Sequence, residues 1–220
     1  MSIDVAVVIV SYNTRDLVRR CLESLLVSLS REAELAWTIT MVDNGSTDRT
    51  VDLVRLDYPE VGIIALDDNR GFAGANNIAL RSVDAEFVLL LNPDTEVLGD
   101  APGALVRFMR ARPKVGLAGG RLLNPDLTFQ HSCFRFPTLP MTFLDFFPIN
   151  HRLTDSRVNG RYPRSAYSKP FSIDHPLGAC MIVRREVIEQ VGAFDEGFFM
   201  YCEEVDWCFR IREAGWEILY

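Results

Sequence analysis

The strongest constraint on this chain is a set of short, wholly apolar runs that each stop in a polar turn. The clearest is Phe87-Val88-Leu89-Leu90-Leu91, followed at once by Asn92-Pro93-Asp94. Five apolar residues in succession leave no polar face, so a strand made of them must be covered on both sides, as in a central parallel strand. Proline has no N–H to give to a ladder and ends the strand there. The polar turn therefore lies at the strand's carboxyl end, the edge at which open α/β sheets bind ligands. Asp94, two residues beyond the Asn92 amide, suits a hard cation that also carries phosphate oxygens. It suits a capping role for the next segment equally well, and these residues alone leave both readings open.

The same motif recurs along the chain. Residues 5–10 are all apolar and end in Ser11-Tyr12-Asn13-Thr14, which can turn the chain and cap a helix. In 16–29, Leu17, Val18, Cys21, Leu22, Leu25, Leu26 and Leu29 fall at helical spacing and predict an amphipathic helix. Residues 37–42 form a strand ending in Asp43-Asn44-Gly45-Ser46-Thr47-Asp48, in which Ser46, Thr47 or Asp48 can cap a helix over 50–56. A third short strand, 61–66, precedes Asn69-Arg70-Gly71-Phe72-Ala73-Gly74-Ala75-Asn76-Asn77. Small residues there allow close approach to a ligand, the following helix offers an amino end to anions, and Arg70 suits a diphosphate. The glycine spacing matches neither the dinucleotide nor the P-loop pattern. Strand, polar turn and helix in series predict a doubly wound parallel sheet, with a further helix over 101–112 and a short strand over 115–118.

From 122 to 174 the chain changes character. Prolines stand at 125, 137, 140, 148, 163 and 170, no period is sustained, and aromatic residues stand at 134, 136, 143, 146 and 147. A long loop of this kind is functional or mobile; residues 143–147 can be core or can shape an apolar groove, and most of them are expected to be core. A strand over 178–183 and a helix over 184–191 follow. The acidic cluster Glu203-Glu204-Val205-Asp206 then opens a helix that runs through Trp207 and Phe209. Acids in a first turn complement the helix dipole, yet three in four residues exceed what a cap requires, so one is expected to face a site. Glu203 is expected to cap and Asp206 to make a structural contact. A last strand covers 216–220.

The global numbers narrow the class. A length of 220 residues admits one large α/β domain or two small ones and does not decide between them; the series of motifs is taken as one domain with halves over 1–120 and 121–220. Net charge of −7 argues against non-specific nucleic-acid binding. No apolar run approaches the ~20 residues of a spanning helix, and the first residues carry no basic region before their apolar run, unlike a secretory signal. Five cysteines without a CxxC pair fit reduced thiols in the cytosol.

Taken together, Val10-Ser11-Tyr12-Asn13, the 42–48 turn, the 69–77 segment, Leu91-Asn92-Pro93-Asp94, and the stretch from Phe194-Asp195-Glu196 to Arg210 resemble the inverting glycosyltransferase family 2. Within it they are similar to the rhamnosyltransferase-like members. The resemblance implies a GT-A fold with a Rossmann-like, mostly parallel central sheet flanked by helices. It implies that Asp43 meets the pyrimidine with Ser11, Tyr12 and Asn44 beside it, and that Arg70, Gly71 and Asn76 lie near ribose and diphosphate. Asn92-Pro93-Asp94 takes the place of the family's Asp-x-Asp motif, so Asp94 would hold Mg²⁺ or Mn²⁺; Asn92 in place of an acid weakens that metal site. Glu204 falls at the general base, in a Glu-Glu pair where the family has Glu-Asp. The implied partners are a dTDP- or UDP-sugar donor and a glycan or polyprenyl-linked acceptor, and the implied location is the cytoplasm, with peripheral association at the inner membrane face. The family also supplies a metal-ligating histidine after a strand like 216–220, so the chain is expected to be truncated at its carboxyl end. A sugar-nucleotide-binding protein without turnover is the first rival. A nucleotidyltransferase would need an early glycine-rich loop, and residues 10–16 contain no glycine.

Overall fold

The computed structural model describes residues 2–147 and 159–220. The apolar runs become strands where their patterning requires it. β1 (Val5–Ser11) pairs in parallel with β2 (Trp37–Asp43) on one side and with β4 (Phe87–Leu91) on the other, and β2 pairs in parallel with β3 (Val61–Ala65). All five residues of β4 are buried. Beyond β4 lie β8 (Cys180–Arg184), β5 (Val115–Gly119) and β9 (Glu217–Leu219), giving the order β3-β2-β1-β4-β8-β5-β9. β8 runs antiparallel to both of its neighbours, while β5 and β9 are parallel. The sheet is thus mostly parallel rather than wholly so. The reversal has a topological cause, because the chain reaches β8 from the carboxyl edge and needs no crossover to run back down the sheet.

Alternation along the strands sorts the helices onto two faces. Val5, Val7, Ile9, Phe87 and Leu89 pack with Val18, Cys21, Leu22 and Leu25 of α1 (Arg15–Leu29), Val54 of α2 (Thr50–Asp57), and Val106 and Met109 of α4 (Ala101–Arg110). Ala6, Val8, Val88 and Leu90 face the other way, toward α3 (Gly71–Ser82), α6 (Arg185–Val191) and α7 (Glu203–Glu213). Truncating a wholly buried residue such as Leu89 to Ala costs ~2–5 kcal/mol.

The described residues of 122–147 and 159–176 form a side module rather than open loop. Two short strands there, β6 (Cys133–Phe134) and β7 (His175–Pro176), pair antiparallel. Phe129, Tyr167, Phe171 and Tyr220 pack edge-on around a 3₁₀ turn at Arg164–Ser168. Helix α5 (Leu139–Phe146) lies outside this nest. Phe143 and Phe147 are more than half exposed, against the expectation of core. Residues 148–158, including Pro148 of the expected loop, fall outside the described residues.

Candidate active site

The carboxyl ends of β1, β2 and β4 meet at one edge of the sheet. Ser11 and Asp43 are register partners at the ends of β1 and β2, and the Asn44 N–H donates to the Ser11 carbonyl at 2.7 Å. Ser11 is buried and shares a 2.9 Å hydrogen bond with Thr14, whereas Tyr12 is half exposed beside it. Asn13, at φ +52°, accepts from the Thr47 N–H and donates its own N–H to Ser46 Oγ, so the two turns brace each other. The cap comes from Asp48: its carboxylate accepts from the Thr50 N–H at the start of α2 and from the Arg15 N–H at the start of α1.

Asp43 is 2% exposed. Its Oδ2 accepts from the Ser46 N–H at 2.9 Å, while Oδ1 is buried without a hydrogen-bond partner. Buried acceptors are nearly always satisfied, so an orphaned carboxylate oxygen at a ligand edge marks a place where a donor fits. Asn44 behaves differently. Its Nδ2 donates to Asn69 Oδ1 and to the Gly71 carbonyl, and its Oδ1 accepts from the Arg70 N–H at 2.8 Å. Its side chain fastens the 69–71 turn to the end of β2.

The 71–77 segment is helix from its first residue, since α3 begins at Gly71. The Gly71 N–H donates to Asn69 Oδ1, and the Phe72 N–H donates to the Phe199 carbonyl at 2.8 Å. Those leading amides are therefore committed within the protein, and an incoming anion would meet the exposed Arg70 side chain, which is paired with Asp68 at 2.7 Å. Asn76 is buried on α3 and donates to the Phe72 carbonyl. Asn77 was not among the residues singled out by sequence, yet it clamps the 194–201 loop. Its Nδ2 donates to the Phe194 carbonyl and to Glu196, and its Oδ1 accepts from the Phe194 N–H. The available signal was a polar residue at helical spacing between the small and apolar positions 73 and 80.

Gly71 has φ +72°, a left-handed conformation that favours glycine. A Cβ there would overlap the Phe199 carbonyl oxygen and approach the Phe199 ring at 2.9 Å. The loop closing over α3 thus needs the bare backbone. Beyond it, Phe194 packs on Phe72 at 6.1 Å and on Trp207 at 4.4 Å. Trp207 is fully buried and donates its ring N–H to the Gly192 carbonyl. This chain of contacts joins the Arg70 turn to α7.

On α7, Asp206 accepts from Arg210 at 2.8 Å, and Arg210 donates to the Val191 and Ala193 carbonyls. That is the structural contact expected of Asp206. Glu203 does not cap; the residue before the helix, Cys202, sits at φ +71°, and Glu203 is buried with Oε2 unpartnered. Burial holds its carboxyl above the ordinary range, partly offset by its own backbone N–H. Glu204 is half-buried and is likewise pushed up, first by burial and further by the neighbouring Glu203 charge.

The Asn92-Pro93-Asp94 turn leaves β4 beside β1. The Asn92 N–H donates to the Ala179 carbonyl, its carbonyl accepts from Thr95, and Asp94 is exposed. Behind it Cys21 is raised to about 12 by burial, which leaves the thiol inert. Among the described residues no three His, Cys, Asp or Glu side chains group as a metal cage. The donor set fits a divalent ion only as a partial site: one carboxylate, with further oxygens to come from a diphosphate.

Comparisons with known proteins bear on the family and the fold. The profile of Glycosyl transferase family 2 matches residues 6–192. The N-acetylglucosaminyl-diphospho-decaprenol L-rhamnosyltransferase of Mycobacterium tuberculosis is 31% identical over 215 residues, covering 90% of this chain and 68% of the relative. The rhamnosyltransferase WbbL of Escherichia coli is 26% identical over 229 residues, 98% of this chain and 80% of the relative. Among solved structures, a mannosyltransferase from Pyrobaculum calidifontis, in complex with GDP-Man and Mn²⁺, superposes with a TM-score of 0.68 at 21% identity over 99% of this chain. Staphylococcus aureus TarS 1-349 in complex with UDP gives 0.67 at 17% identity over 98%. The chain spans 54% and 57% of those two structures, which share its GT-A fold. With a profile running through residues 6–192 and relatives aligned across nearly its whole length, this chain belongs to glycosyl transferase family 2.

Proposed function

We propose that the chain is the donor-binding and catalytic part of an inverting glycosyltransferase that moves rhamnose from dTDP-rhamnose to a saccharide on a polyprenyl diphosphate. The observation that carries this reading is the buried, unpartnered Oδ1 of Asp43 at the ligand edge. An acceptor held out of water there suits the imide N–H of thymine or uracil. The rhamnosyl donor and lipid-linked acceptor are argued from the relatives at 31% and 26% identity.

In this mechanism Glu204 accepts the proton of the acceptor hydroxyl as that oxygen bonds to the anomeric carbon. The bond from that carbon to the diphosphate oxygen breaks, and the electron pair leaves with the nucleotide. A base whose pKa is raised by burial is better matched to neutral pH than an exposed glutamate. Arg70, at the turn that Asn44 holds, pairs with the departing diphosphate. Asp94 would hold Mg²⁺ or Mn²⁺ there, and the ion, when bound, supplies charge neutralisation for the leaving group. Transfer would take place at the cytoplasmic face of the membrane; no helix among the described residues is long and apolar enough to cross it. The lone carboxylate at the metal position favours one alternative, a nucleotide-sugar-binding protein without turnover.

The test is transfer from dTDP-rhamnose to a synthetic polyprenyl-diphospho-N-acetylglucosamine with Mg²⁺ or Mn²⁺. Glu204→Gln should keep donor binding and lower transfer by ~10²–10⁴-fold. Donor binding with no transfer by the wild type would select the alternative; full transfer by Glu204→Gln would remove Glu204 as base.

A further inference from the structure

We propose that the outward face of α5 docks this protein on an anionic bilayer surface, an inference that rests on the lipid-linked acceptor of the reading above. Leu139 is 88% exposed, Phe143 54%, and Phe147, one residue past the helix, 59%. Steps of four along a helix place side chains on one side, so the three form a single ridge. The Phe143 and Phe147 rings touch at a centroid distance of 5.0 Å, and the Phe147 N–H still donates to the Phe143 carbonyl at 2.9 Å. The opposite side of the helix is seated: Met141 Cε fills the space that a Cβ on Gly160 would need. The ridge is therefore held facing water rather than left to rotate inward.

What surrounds the ridge identifies its occupant. The Arg135 N–H donates to the Gly160 carbonyl, and Arg161 bridges to Phe134, so both arginines lie at the seat of α5. Arg135 stands over the Tyr162 ring and Arg161 over the Phe134 ring, each at 5.6 Å. Across 121–147 and 159–174 there are five Lys and Arg against three Asp and Glu, in a chain that carries 23 against 30. One of those acids, Asp174, is bound to Arg212 and to the Phe136 N–H. An apolar ridge with cations on aromatic stems beside it, on a chain that is otherwise acidic, matches a headgroup layer over acyl chains. A second protein surface fits less well, because a stable interface needs roughly 800 Å² per partner and three side chains do not supply it. The module is fastened to the transferring edge through Leu177 N–H to Ser132 and Asn92 N–H to Ala179. Docking by α5 would hold that edge near the headgroups, where the diphosphate of a lipid-linked acceptor lies.

The experiment is vesicle flotation of this chain on phosphatidylcholine–phosphatidylglycerol vesicles and on phosphatidylcholine alone. The wild type should float with the mixed vesicles, less so as salt rises. Leu139→Glu/Phe143→Glu, and separately Phe147→Glu, should lower that partition by about tenfold or more. Because all three side chains are exposed, thermal stability should not change. Equal flotation of the variants and the wild type overturns the proposal, as does equal binding to both vesicle types. A wild-type dimer in light scattering that the double variant abolishes also overturns it, since a second copy then covers the ridge. Transfer to a water-soluble, short-chain acceptor separates the two readings. If docking is right, the double variant transfers to that acceptor as the wild type does. Absence of transfer in both, with flotation intact, sinks the transfer reading and leaves the docking surface standing.

Discussion

Replacing Gly71 by alanine tests whether the donor edge and α7 act as one unit. The new Cβ would overlap the Phe199 carbonyl oxygen, lie 2.9 Å from Phe199 Cδ2, and sit 3.0 Å from its carbonyl carbon. The carbonyl oxygen and carbon are backbone atoms, which a change of Phe199 rotamer cannot move, so relief requires the 194–201 loop to lift. A left-handed alanine costs ~1–2 kcal/mol. Lifting the loop also breaks the bond from the Phe72 N–H to Phe199, and an unpaired amide costs ~1–3 kcal/mol. The two come to about 2–5 kcal/mol, which for a chain of this size lowers Tm by roughly 5–15 °C. Gly99→Ala is the control: φ is +62°, with nothing within 4 Å of the new Cβ, so it carries the conformational cost alone. Calorimetric unfolding should separate the two variants clearly. Because the lifted loop runs straight into Glu203 and Glu204, kcat for transfer should fall, while dTDP affinity, which the proposed function rests on Asp43, should stay within a few-fold. Equal Tm losses in Gly71→Ala and Gly99→Ala would refute the contact argument. A loss of transfer fully matched by a loss of dTDP affinity would refute the coupling.

Three further outcomes follow from the site. Asp43→Ala should weaken dTDP or UDP binding by ~1–3 kcal/mol in calorimetry, and unchanged affinity would take Asp43 out of the nucleotide site. Cation binding to the nucleotide-free chain should be weak and should strengthen with a nucleoside diphosphate; Asp94→Ala should abolish that gain, and tight Mn²⁺ binding by the free chain would disprove the assignment. Glu203 and Glu204 have folded pKa values above the ordinary 4.5, so the folded chain keeps protons that the unfolded chain has released. The associated stability is full below that value and is lost as pH rises through the raised folded values. Glu203→Gln should therefore gain in Tm relative to wild type as pH rises above the ordinary 4.5; a difference that does not vary with pH would show that Glu203 is not held protonated.

The core was legible because its physics is one-dimensional. An apolar run such as 87–91 has only one arrangement that hides both faces, and the polar turn behind it marks the ligand edge. Asp43 could be nominated for the same reason, as an acid at the end of a buried strand. Asn44 and Asn77 could not be sorted by type. Both are amides in polar-looking segments, and their roles as clamps depend on partners 25 to 119 residues away. The direction of β8 was equally hidden, since an apolar strand reads alike in both directions. The exposure of Phe143 and Phe147 also escaped sequence reasoning: a cluster of phenylalanines signals burial by something, without saying whether that partner belongs to the same chain.

The reversed course of β8 also bears on how such a chain can diversify. A strand that starts at the carboxyl edge of β4 receives whatever precedes it at that edge, as the bond from Asn92 to Ala179 shows. Residues between β5 and β8 can therefore be lengthened, shortened or exchanged without shifting a single rung of the ladders among β1, β2, β3 and β4. The fold separates a fixed floor from a replaceable wall, and it puts the replaceable part at the carboxyl edge of the parallel strands.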